Sequence, residues 1–290
     1  MSSNPDLRIL RQHVKTDQLL GVDAVPQGSP VATANANIKQ QAARPATNNI
    51  SNTAAESASP TAAEPASPPP AAPSASRPPT DEQRAAHLQQ LQQLDEQHVK
   101  GCTKCPLHAG RSQTVFGEGD PAAQLMFIGE GPGQNEDEQG RPFVGRAGVL
   151  LNKQIAAMGL ERKQVYIANI VKCRPPNNRA PTPAEVDVCT DYLRQQIGII
   201  EPQVIVTLGG PAAKYILKTS EGITRIRGQW HQYDGGVPGG LISDAPAIPV
   251  MPTFHPAYLL RAYTEDNRRR VWSDLQQVMQ HLGLEAPKAG

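Results

Sequence analysis

With 290 residues and a formal net charge of +1, the chain shows no bulk attraction to a polyanion. Only a local basic surface is left for such a partner. No Phe, Tyr or Trp precedes Phe116, and eleven of the 28 prolines fall within 24–80, so the first third lacks the bulk for a core. No apolar run approaches the roughly 18 residues of a membrane span, and the N-terminus has no apolar stretch of secretory type, so no membrane partner is expected.

Residues 1–22 place Leu7, Leu10, Val14, Leu19 and Leu20 at helical spacing. They predict a short helix that either frays or docks a protein partner through residues 6–22. Residues 24–80 are mostly Pro, Ala, Ser, Thr and Asn, with only Lys39, Arg44, Glu56, Glu64 and Arg77 charged. Such a composition predicts a disordered linker over 23–80.

The folded region is expected over 81–284, followed by a disordered tail at 285–290. Thr80 or Asp81 suits an N-cap, and Leu88, Leu91, Leu94 and Val99 give a helix that Gly101 ends. This helix leads into Cys102-Thr103-Lys104-Cys105-Pro106. A strand, Leu125-Met126-Phe127-Ile128, breaks at Gly129-Glu130-Gly131-Pro132-Gly133. A helix over 145–158 follows, then a strand over 164–170 carrying Asn169, then a Pro-rich segment over 171–179. Thr182, Pro183 and Glu185 form an N-cap, a first-turn proline and a capping-box acid for a helix reaching about 198. Residues 203–208 read as a third strand, with a short helix after Gly209-Gly210-Pro211. Residues 223–233 read as a strand of a hairpin whose tip is 234–246, a surface insertion. Residues 248–254 form a fourth core strand ending at His255-Pro256, and 265–282 a last helix burying Val271, Trp272, Leu275 and Val278. This alternation predicts a three-layer α/β/α fold around a central four-stranded, mostly parallel sheet. Its strand ends carry Gly129-Glu130, Asn169, Leu208-Gly209 and His255 on one rim, where such sheets bind ligands.

Three constellations carry chemistry. Cys102 and Cys105 can close a chelate at one metal centre, while Cys173 and Cys189 stand 16 positions apart. Without a secretion signal, a metal or cluster outranks disulfides. The spacing leaves zinc and iron–sulfur both open. The Gly-rich turn is no dinucleotide fingerprint, because Gln134 replaces the third glycine and Pro132 removes an amide. Its glycines instead allow a planar ligand close to the backbone. On the same rim an Asn amide can read a base edge, a Phe can stack on a base, and a neutral His can donate to a developing oxyanion. Asn169, Phe143 and His255 supply these three groups.

GEGPGQNEDEQGRPFVGRAG, VKCRPPNNRAPTPAE with Cys189, and PTFHPAYLLR closely resemble the family 4 uracil-DNA glycosylases, the iron–sulfur branch of that superfamily. The resemblance runs from about residue 91 to 282 and omits the first 80 or so. It implies the uracil-DNA glycosylase fold, with a [4Fe-4S] cluster on Cys102, Cys105, Cys173 and Cys189. It further implies hydrolytic excision of uracil from DNA by a monofunctional enzyme, leaving an abasic site. Phe143 would stack on the flipped uracil, Asn169 would read its N3–H and O4, and His255 would stabilise the departing anion. Glu136 would lie against the C5 edge, and Tyr258, Leu259 and Arg261 would contact the duplex. Family 1 relatives carry a water-activating Asp where this chain has Gly131, and the neighbouring Glu130 is the candidate for positioning water. A sister group cross-links to the abasic product through a His, which the segment CRPPNNRAP lacks, so no cross-link is expected. A cytoplasmic, nucleoid-associated monomer is expected. The alternative is a non-catalytic iron–sulfur DNA-binding accessory module.

Overall fold

The computed structural model describes residues 79–235 and 247–285. The expected docking helix at 6–22, nearly all of the linker, most of the hairpin tip and the end of the tail lie outside these residues.

The first helix, α1, spans Asp81–Leu94. Thr80 Oγ1 accepts from the Gln83 amide, and the Gln83 side chain returns to the Thr80 amide, which satisfies two orphan donors at once. Leu91 and Leu94 face the core, but Leu88 is exposed. One π-helical stretch, Asp95–Val99, widens the last turn and buries Val99 before the chain reaches Cys102.

Then follow β1 (Glu118–Gly119), β2 (Leu125–Gly129), α2 (Gln134–Gln139), α3 (Arg146–Ala157) and β3 (Tyr166–Asn169). The second half adds α4 (Pro183–Ile200), β4 (Val204–Leu208), α5 (Gly210–Leu217), α6 (Ile223–Ile226), β5 (His231–Tyr233), β6 (Ile248–Thr253), α7 (Pro256–Arg261) and α8 (Glu265–His281). The Thr182–Glu185 capping box forms as the sequence requires.

Among the described residues the sheet has six strands, in the order β1-β3-β2-β4-β6-β5. The expected four core strands are β3, β2, β4 and β6, and all neighbours among them are parallel. The two edge strands correct the count of four, and both are antiparallel. The expected strand over 223–233 is also corrected: its first part is α6, and only His231–Tyr233 pairs with β6. Gly222 and Gly228 flank a single helical turn there, too short for periodicity to separate helix from strand.

Side chains alternate across the sheet. Leu125, Phe127, Val204, Val206 and Met251 pack on one face with Leu151 and Ile155 of α3 and with Val271, Leu275 and Val278 of α8. Met126, Ile128, Ile205 and Val250 face the other side, against Leu91 of α1, Leu193 and Ile197 of α4, and Ile216 of α5. A sheet buried on both faces needs continuous apolar strands, and β2 and β4 are of that kind. Burying both faces leaves the carboxyl rim of the parallel strands as the open ground of the fold. No described helix is long and apolar enough to cross a membrane.

Candidate functional site

The carboxyl ends of β2, β3, β4 and β6 open into a cavity of about 630 Å³, within the usual range for small-molecule pockets. Glu130, Gly131, Glu136, Phe143, Asn169 and His255 all line it, so the structure brings the sequence-selected rim residues together. Register explains the first contact: Gly129 of β2 lies directly beside Asn169 of β3. A Cβ on Gly129 would stand 2.4 Å from Asn169 Oδ1 and 2.6 Å from Phe143 Cζ, so only glycine fits. At Gly131 a Cβ would meet Val171 Cγ2 at 2.8 Å.

Asn169 is 2% exposed, and its Oδ1 is buried without a hydrogen-bond partner. An unpaired buried acceptor costs about 1–3 kcal/mol, so such an atom in a cavity wall marks a place for a donor from a ligand. Its main-chain carbonyl is held by Lys172 Nζ at 2.9 Å.

His255 caps α7, and its Nδ1 accepts from the Ala257 amide at 3.0 Å. That bond puts the ring proton on Nε2. Burial, reinforced by the positive Arg261 and opposed by Glu136, pushes the His255 pKa down to about 4. The ring is therefore a neutral donor at pH 7. The Phe143 ring lies 5.6 Å away, tilted by 32°. Phe143 adopts a φ of +50°, a strained value for a non-glycine residue. Arg162 bonds its carbonyl, and Gly148 of α3 approaches it so closely that any Cβ would overlap.

Glu136 does more than flank the cavity. Its Oε1 accepts from Val144 and Gly145 at 2.9 and 2.8 Å, and its Oε2 accepts from Gly133. One carboxylate thus ties the Gly-rich turn to the segment bearing Phe143. Burial raises the Glu130 pKa above the ordinary carboxylate value.

On α7, Tyr258 and Arg261 are exposed and line the mouth of the cavity. Leu259 does not. It is 1% exposed and packs in the core with Phe254 and Trp272, which corrects its expected place against a duplex. The 3.6-residue period turns position 259 inward when 258 and 261 face out.

The four cysteines line a second, tight cavity of about 10 Å³. All four thiols are free. Arg111 Nη1 lies 3.2 Å from Cys173 Sγ, the Lys172 amide donates to Cys189 Sγ at 3.2 Å, and the Tyr192 hydroxyl lies 3.3 Å from Cys102 Sγ. Burial raises the Cys173 pKa, and pushes that of Cys189 up to about 11. No three His, Cys, Asp or Glu side chains among the described residues form a group that could hold a metal ion. Cysteines that bind four different irons of one cluster stand further apart than ligands of one zinc ion. The donors aimed at sulfur, and the cations Arg111 and Lys172 beside them, fit an anionic thiolate-held group.

Comparison with known proteins gives the family. The Uracil DNA glycosylase superfamily matches residues 116–276. The Thermotoga maritima type-4 uracil-DNA glycosylase is 43% identical over 198 residues, covering 68% of this chain and 97% of that protein. The chain belongs to the type-4 uracil-DNA glycosylases. It is an enzyme, a hydrolase. The type-4 enzymes of Sulfurisphaera tokodaii and Archaeoglobus fulgidus are 43% and 38% identical, over 66% and 68% of this chain and 84% and 97% of their own lengths.

The structure also marks residues that sequence reasoning overlooked. Lys172 sits between Asn169 and Cys173 in the sequence, yet it is 1% exposed. The only signal was its apolar flank, Ile170-Val171. Arg179, Pro211 and Thr224 also line the cavity, and none of them was selected from the sequence.

Proposed function

We propose that this glycosylase, acting as a monomer, flips uracil out of DNA and hydrolyses its N-glycosidic bond, releasing uracil and leaving an abasic site. The observation that carries this reading is the unpaired, buried Oδ1 of Asn169, a residue that lines the cavity. Uracil N3–H supplies the missing donor, while the amide NH₂ donates to O4. Cytosine presents the reverse pattern, and one such bidentate pair discriminates by about 1–3 kcal/mol. Phe143 stacks on the flipped base, a contact worth about 1–3 kcal/mol.

As the C1′–N1 bond breaks, its electron pair passes to the base. The neutral His255 donates its Nε2 proton as a hydrogen bond to the anionic uracil oxygen, stabilising it by about 3 kcal/mol. Because Nδ1 is occupied by the Ala257 amide, the ring needs no reorganisation to do so. Water, positioned by Glu130 since no side chain grows from Gly131, then adds to C1′ and gives up a proton, and one proton taken up by the uracil anion leaves neutral uracil and a neutral abasic sugar. Glu136 keeps the turn and Phe143 in one rigid wall, at the C5 edge of the base. Tyr258 and Arg261 contact the duplex at the flipped position, with Arg261 on phosphate.

Cys102, Cys105, Cys173 and Cys189 would hold a [4Fe-4S] cluster. When bound it would staple the end of α1 and the Pro-rich segment to α4, a structural role.

The test is an end-labelled oligonucleotide with one uracil, opposite G or A, incubated with iron-loaded protein and then alkali. A single cleavage at uracil is expected. Intact strands opposite both bases would sink the reading in favour of a non-catalytic DNA-binding module.

A further inference from the structure

Lys172 is buried, between the two cavities. Its Nζ donates to the Asn169 carbonyl at 2.9 Å and to Gln196 Oε1 at 2.6 Å, and lies 6.0 Å from the centroid of the Phe116 ring. Gln196 is itself fixed, donating to the Phe116 carbonyl and lying 3.2 Å from the Tyr166 hydroxyl. The Lys172 amide bonds Cys189 Sγ. Gln196 and Cys189 both belong to α4, while Asn169 ends β3.

A buried ammonium is expensive unless paired or richly hydrogen-bonded. A purely structural site would be filled more cheaply by Leu or Met. This one spends its donors on the main-chain carbonyl of the residue that faces the base.

We propose that Lys172 is a positioning residue for the glycosylase reaction: it locks the backbone of Asn169 to the cysteine-bearing helix α4, and so holds the base-reading amide in one orientation. The proposal rests on Asn169 reading the base. It assigns the four-cysteine set an indirect part in specificity, through the Lys172 amide and side chain.

Single-turnover excision of uracil by the full, iron-loaded chain tests it, in wild type and in Lys172→Met, Gln196→Leu and Asn169→Ala. Visible absorbance, melting temperature and DNA affinity are read on the same preparations. Lys172→Met is expected to keep its visible absorbance and DNA affinity, to excise uracil about 10-fold more slowly, and to lose part of its discrimination against cytosine. Gln196→Leu should show a smaller loss in the same parameters. A Lys172→Met protein that melts lower yet excises at the wild-type rate would overturn the proposal, as would a loss confined to DNA affinity. If Lys172→Met does not fold, a wild-type rate and wild-type discrimination in Gln196→Leu overturn it. Wild-type excision by Asn169→Ala would instead overturn the base-reading assignment, whatever the lysine variants do.

Discussion

The two cavities are built on opposite plans. The rim cavity is roomy, and a polar atom in its wall, Asn169 Oδ1, has no partner. The cysteine cavity is tight, and three of its four sulfurs have an N–H or O–H group within hydrogen-bond distance. A wall that transiently receives a ligand keeps bonding capacity in reserve. A wall that permanently holds a group has its capacity filled from the surrounding chain. That contrast is the one the proposed function requires: turnover in the first cavity and retention in the second.

The largest expected effects fall on the reserve. Asn169→Ala and His255→Ala should each slow single-turnover excision by about 10²–10³-fold, since each removes a preorganised bond that the proposed mechanism makes to the base. Glu130→Ala should lose less and remain measurable, because in the proposed mechanism the sugar cation forms before water attacks. Equal losses in all three would refute that order. Gly129→Ala comes next. Its methyl would overlap the amide and the Phe143 ring, so excision should fall at least 10-fold, on the order of a 1 Å misplacement. Visible absorbance should be unchanged, and its loss would mean that the two cavities are not independent at this point.

Arg111→Met probes the other wall. It removes the cation beside Cys173, and retention of iron during dialysis against a chelator should weaken by about 10-fold. Excision per iron-loaded molecule should stay at the wild-type level. The smallest effect is on pH. The folded-state pKa of His255 lies near 4, below the ordinary value of about 6.5. The unfolded chain therefore binds more protons between those limits, and the contribution of His255 to stability, full above pH 6.5, is lost as pH falls toward 4. Melting temperatures from pH 7 to 4 should fall less steeply for His255→Asn than for wild type.

Much of this contrast was legible in the sequence. Apolar runs ending in Gly129, Asn169, Leu208 and His255 placed four parallel strands and their rim, because a sheet covered on both faces needs such runs. Cysteine spacing grouped the thiols without ligand geometry. What failed was set by distant partners. Glu118–Gly119 is a strand only because Tyr166 and Ile167 lie beside it. The burial of Lys172 depends on Gln196, 24 positions on, and a lysine is ordinarily read as solvated. Leu259 was misplaced because four consecutive residues were read as one surface, when a helical turn must divide them between core and solvent.

The unpartnered oxygen of Asn169 has a thermodynamic consequence for the resting enzyme. It is a standing debit of about 1–3 kcal/mol against the native state, which the proposed contact with a bound base would relieve. Free uracil should therefore raise the melting temperature, and the enzyme should be inhibited by its own product. Asn169→Leu should melt higher than wild type and excise nothing, because the atom proposed to make the catalyst selective also keeps it from its stability optimum.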